Sequence, residues 1–85
     1  MLDFRTETFL CACRHMNFTK AAAELGITQP AVSQHIHYLE EYYRARLFSM
    51  NGKKLSLTEQ GEHLQRALIT IRDDEALLQL SLIHI

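Results

Sequence analysis

The 85-residue sequence has no tryptophan, one proline, three glycines, two cysteines and no long apolar run. Cys11 and Cys13 stand two apart with no other cysteine to reach, so a disulfide framework is excluded and a reducing compartment is implied. No stretch approaches the ~20 apolar residues of a membrane-spanning helix, and the early acidic Asp3 argues against a secretory signal. The expected setting is therefore soluble and cytoplasmic, with no membrane partner. Charge of one sign is missing too: nine Lys and Arg face ten Asp and Glu, and a net −1 does not by itself suggest nucleic acid. Catalytic patterns are equally scarce. There is no Ser/His/Asp set, no paired carboxylate site and no Gly-rich phosphate loop, and the length suits one small domain rather than a two-domain enzyme. On their helices Cys11-x-Cys13 and His35-x-His37 each diverge by about 200°, so neither pair converges on a metal. No enzyme activity, metal or cofactor is expected.

What is present is enough to fold. Leu, Ile, Val and Phe make up about 28% of the residues, above the ~20% below which chains stay disordered. The few glycines and the proline divide the chain into helical blocks. Between residues 3 and 16, Phe9, Leu10, Cys13 and Met16 recur at helical spacing behind an Asp3 cap, which predicts a helix with one buried face. Thr19 is a candidate cap for a short second helix from Lys20 to the stop at Gly26. Thr28 caps a third helix carrying Pro30 in its first turn and running to about Arg44. There Val32, Ile36, Leu39 and Tyr43 share a buried face, while Pro30, Ser33, Gln34, His37 and Glu41 face outward and His35 points sideways. Asn51-Gly52, between two half-apolar runs, predicts a two-stranded hairpin with positive φ at both turn positions. From Thr58 a final helix carries Leu64, Leu68, Ile71, Leu78, Leu82 and Ile85 in steps of three and four, with Glu75 interrupting the seam.

Two helices joined by Gly26-Ile27 and followed by a hairpin read as a mainly α fold, a winged helix-turn-helix with a long C-terminal helix. Ala22 is small where the second and third helices cross, Gly26 makes the turn, and Ile27, Val32 and Ile36 clamp the third helix to the core. A plain helical bundle with a hairpin is the alternative. Phe18-Thr19-Lys20-Ala21-Ala22, Leu25, Thr28-Gln29-Pro30-Ala31-Val32-Ser33-Gln34-His35-Ile36, Leu39-Glu40-Glu41, Leu47-Phe48 and Leu57-Thr58 through Gly61 resemble the N-terminal domain of LysR-type transcriptional regulators over residues 4 to 72. The resemblance implies a bacterial DNA-binding domain over 1–58 and a linker and dimerisation helix over 59–85. It also implies a larger effector-binding domain that this sequence does not contain, so a small-molecule effector would act only through that domain. The sequence departs from the family pattern at Arg44, where Gly usually ends the third helix, and at Met50, where the wing often has Arg. It departs again at Thr6, where Leu is common, and at Met16-Asn17 in place of Gly-Ser.

The resemblance assigns Gln29, Pro30, Ser33 and Gln34 to the base-reading face. The chemistry agrees, because a Gln amide donates and accepts at once, as an adenine edge requires, and Pro30 offers an apolar edge to a thymine methyl. The outward His37 adds a base or phosphate contact. Thr19 and Thr28 would present helix-start amides and hydroxyls to phosphate, with charge from Lys20, Lys53 and Lys54, one of the latter two replacing the family's wing Arg. Leu64, Leu68, Ile71 and Leu78 would pair with the same helix of a second chain or pack back on the head. The charge splits along the same line: residues 1–57 carry seven basic groups against five acidic, and residues 58–85 two against five. A mildly basic head thus sits on an acidic helix that phosphate repels. Two other readings remain, a small repressor complete at this length and a winged helix that binds another protein. The apolar, uncapped residues 81–85 read as a cut or altered end.

Overall fold

A computed structural model describes residues 3–83. It comprises α1 (Phe4–His15), α2 (Phe18–Leu25), α3 (Gln29–Tyr43), β1 (Phe48–Asn51), β2 (Lys54–Leu57) and α4 (Glu59–Ile83). The expected cap at Asp3 is present. Its Oδ1 accepts from the Arg5 and Thr6 amides at 3.0 and 3.1 Å, and Thr6 Oγ1 accepts the Asp3 amide in return. The polar residue at position 6 thereby completes a capping box. α1 is more deeply buried than a one-faced helix. Phe9, Leu10, Cys11, Ala12 and Cys13 are all in the core because α2, α3 and α4 pack around it.

α2 starts earlier than Thr19 suggests. Asn17 is the cap, its Oδ1 accepting the Lys20 amide at 2.9 Å, and Thr19 lies inside the helix. Gly26 ends it at φ +69°. Thr28 caps α3 as expected, with Oγ1 accepting the Ala31 amide at 3.2 Å. Val32, Ile36 and Leu39 are buried, but Tyr43 is 45% exposed, because the chain leaves the helix there and its ring stacks edge-on against Tyr42. Arg44 ends α3 in the left-handed region at φ 53°, and Met16 does the same for α1 at φ 48°. A side chain at such a position is strained by roughly 1–2 kcal/mol. Arg44→Gly is accordingly expected to stabilise the chain by about 1 kcal/mol, once the greater freedom of glycine in the unfolded state is offset. Urea denaturation with an unmoved or lowered midpoint would contradict this.

The hairpin forms one residue later than Asn51-Gly52 implies. Phe48 pairs with Leu57, Ser49 with Ser56, Met50 with Leu55 and Asn51 with Lys54, which leaves Gly52-Lys53 as the two-residue loop. Only Gly52 has positive φ, the II′ pattern rather than I′. Phe48 anchors the wing, with its ring edge-on to Phe9 at 5.6 Å and to Phe18 at 5.1 Å. Glu40 ties the wing's entry to α3 by accepting the Leu47 amide at 2.9 Å.

Thr58 then starts α4, accepting the Gly61 amide at 3.0 Å while its own amide donates to the Leu47 carbonyl. Gly61 is buried against that carbonyl. Leu68 belongs to the same core, and Leu64 and Ile69 pack on it. Of the residues expected on a dimer seam, Leu68 therefore lies inside its own head and Leu64 is half-buried, whereas Ile71 and Leu78 are exposed. Ile85 lies outside the described residues. Among the described residues, no helix is long and apolar enough to cross a membrane.

Candidate nucleic-acid interface

The first three turns of α3 present Gln29, Pro30, Gln34 and His37 to solvent, with Ser33 half-buried among them. This face is polar and carries no formal charge until Glu41. Gln29 Nε2 donates to Ser33 Oγ at 2.9 Å, one turn along the helix, which orients its amide across the helix start. Gln34 is exposed, and its amide has no hydrogen bond within the chain among the described residues. His37 Nε2 lies 3.5 Å from Glu41 Oε1, both side chains largely exposed. The acidic group restricts favourable contact with a polyanion to the helix's first half.

The fold brings this helix and the wing together. A groove of about 280 Å³ is lined by Met16, Asn17, Phe18, Gln29, Met50, Lys53 and Leu55. A second, of about 320 Å³, sets Ser33 and His37 against Ser49 and Met50 of β1. The Lys53 cation at the hairpin tip and the Gln29 amide thus border one concavity. Lys20, Thr19 and Lys54 are exposed but line neither groove. Arg46 lines the second groove and is an addition to the expected set. Its side chain is 80% exposed and its Nε is 3.4 Å from Glu40 Oε2, which holds the cation beside Ser33 and His37. Nothing in its local sequence marks it; the position follows from the tie between α3 and the wing.

The helix starts contribute less than their caps suggest. At α3, Pro30 has no amide hydrogen and the Ala31 amide is taken by Thr28, so the Gln29 amide is what that turn can offer an anion. At α2, Asn17 takes the Lys20 amide, which leaves the Phe18 and Thr19 amides and the Thr19 hydroxyl to offer. His35 is not a free surface residue. Its Nδ1 is 2.8 Å from Thr8 Oγ1 and its ring packs edge-on to Phe4 at 5.1 Å, fastening α3 to α1.

The sequence profile of the bacterial regulatory helix-turn-helix proteins of the lysR family matches residues 5–62. The HTH-type transcriptional activator AmpR of Citrobacter freundii is 45% identical over 56 residues, which cover 66% of this chain and 19% of that protein. A LysR-family regulator from Eggerthella lenta, of known crystal structure, is 62% identical over 80% of this chain and 97% of its own, with a TM-score of 0.76. The DNA-binding domain of BenM, solved in complex with benA site 1 DNA, is 26% identical over 99% of this chain and 97% of its own, with a TM-score of 0.82. The fold of four helices and a two-stranded wing described above is therefore shared with that domain over nearly its whole length. The chain spans about a fifth of the curated activator's length.

Proposed function

Because the chain belongs to the LysR family of bacterial regulatory helix-turn-helix proteins, we propose that it is the DNA-binding unit of a transcription regulator that acts in the cytoplasm. α3 enters the major groove of duplex DNA, where Gln29, Pro30, Ser33, Gln34 and His37 meet base edges. The wing and helix starts hold phosphates through Lys53, Lys54, Lys20, Thr19 and Thr28. One observation carries this reading: Gln29, at the start of the uncharged polar face of α3, and the wing's Lys53 border the same concavity, whose lining includes no acid. The likeness to a domain solved on DNA supports it.

Residues 1–58 act as the reading head and residues 59–85 as the linker. Two copies pair through α4, mainly at Ile71 and Leu78, with Leu64 at the margin and Leu68 supporting the helix from inside the head. Pairing turns one small footprint into two half-sites on an interrupted inverted repeat. Any small-molecule effector would be sensed by a domain outside this sequence.

The charge contacts are tested by salt dependence. Each phosphate neutralised adds about 0.9 to the slope of log K against log salt. Lys53→Ala is expected to weaken binding to all duplexes alike and to lower that slope by roughly one. Fluorescence anisotropy across a salt series measures both. An unchanged slope would remove the wing from the phosphate contacts, and the absence of salt-dependent duplex binding in the parent chain would remove the proposal.

A further inference from the structure

α1 and α2 bring together three side chains that are not among the residues assigned to DNA contact. Cys11 and His15 stand one turn apart on α1, and Glu24 faces them from the last turn of α2. Cys11 Sγ lies 3.4 Å from Glu24 Oε2 and His15 Nε2 lies 2.8 Å from Glu24 Oε1, with all three ligand atoms within 4.8 Å of one another. A tetrahedral zinc site, with bonds of about 2.3 Å to sulfur and about 2.0 Å to nitrogen and oxygen, spaces its ligands by roughly 3.3–3.5 Å. Cys11 Sγ to Glu24 Oε2 matches that spacing, His15 Nε2 to Glu24 Oε1 is about half an ångström shorter, and Cys11 Sγ and His15 Nε2 lie within 4.8 Å of each other. We propose that Cys11, His15 and Glu24 bind one divalent cation of the zinc class, with solvent completing the coordination.

The surroundings suit such an ion. Cys11 is buried on the inner side, His15 is half-buried and Glu24 is exposed, so the site is walled by the core and open outward. A dication with one thiolate and one carboxylate is a neutral set, and it therefore does not repel the Arg14 guanidinium beside it. Arg14 donates to both Glu24 oxygens at 3.1 and 2.7 Å and remains as the outer partner that orients the carboxylate. Hydrogen bonds from Arg14 first, then from His15 and Cys11, hold the Glu24 carboxyl down at about 2, and a bound cation would take the place of the last two. Burial first, then the neighbouring Glu24, raises the Cys11 thiol above its ordinary value. Binding must therefore release the Cys11 thiol proton to solvent and take from His15 Nε2 the proton it shares with Glu24, so that His15 ligates as the Nδ1–H tautomer, and affinity rises with pH. Cys13 serves as an internal control: it too is buried, its thiol is pushed up to about 12 by burial alone, and it is not in the cluster.

The reduced 85-residue chain is titrated with cobalt(II), then with zinc. One cobalt per chain is expected, with thiolate-to-cobalt charge-transfer absorption that zinc abolishes. Cys11→Ser removes the band, His15→Gln and Glu24→Gln each weaken cobalt binding at least tenfold, and Cys13→Ser leaves it unchanged. Circular dichroism checks the fold of each variant. Should Cys11→Ser fail to fold, the two variants that reach the surface decide the matter. Absence of the band at millimolar cobalt, or full affinity in either His15→Gln or Glu24→Gln, would overturn the site.

Discussion

Gly61→Ala is expected to destabilise the chain by about 3 kcal/mol, at the upper end of what overpacking usually costs. A methyl group at this position would overlap the Leu47 carbonyl oxygen and lie 2.9 Å from Leu57 Cδ2. The first obstacle is backbone, and that carbonyl already accepts the Thr58 amide at 3.0 Å, so it cannot swing aside without opening the junction between wing and α4. Alanine's better helix propensity offsets only about 1 kcal/mol of this. For a domain of this size the loss corresponds to a fall in Tm of roughly 12–24 °C. Thermal melting followed by circular dichroism measures it, and a shift of less than a few degrees would show that α4 does not need its close seat on Leu47. Since that seat also holds Leu68 in the core, the variant should lose head and linker together.

Gln34→Ala should leave stability nearly unchanged and instead relax base preference at one position of the binding site. A good bidentate contact is worth about 1–3 kcal/mol of discrimination, or roughly 5- to 150-fold in relative affinity. Gln34 is favoured over Gln29 for the larger effect because its amide is uncommitted, whereas Gln29 already donates to Ser33 Oγ. That bond must be kept, with Gln29 reading through its carbonyl, or broken on binding. Duplexes varied at single base pairs and compared by competition supply the measurement. If the variant discriminates at every position as the parent does, Gln34 does not read a base.

Much of this fold was legible because the signals were local. Asp3, Thr28 and Thr58 cap helices where their hydroxyl or carboxylate meets a helix-start amide, and Gly26 turns between α2 and α3. Legibility fails where two local signals compete or a distant partner decides. Asn17 and Thr19 can both cap, and the stronger cap residue, directly after the left-handed Met16, takes the role. At the hairpin, a central Asn51-Gly52 would set Met50 opposite Lys53 and Ser49 opposite Lys54. The observed register instead pairs Phe48 with Leu57 and Met50 with Leu55, and aligns Ser49 Oγ 3.2 Å from Ser56 Oγ. Matching apolar with apolar across the strands outweighs the turn preference, and Gly52 supplies the one positive φ that is then needed.

The same division runs through the candidate site. The outward face of α3 follows from helical periodicity, so Pro30, Gln34 and His37 are exposed as the pattern implies. His35, Arg46 and the cluster of Cys11, His15 and Glu24 depend on contacts between elements far apart in sequence. Spacing within one helix cannot show that Thr8 waits for His35, or that Glu24 lies across from Cys11.

The central claim, that two copies of this head read duplex DNA in a defined sequence, is tested most directly by selecting binders from a randomised duplex library. The expected result is enrichment of an interrupted inverted repeat whose half-sites lie one or more whole helical turns apart, with affinity lost when one half-site moves by half a turn. Recovery of no common sequence, or of a repeat indifferent to that half-turn, would contradict it.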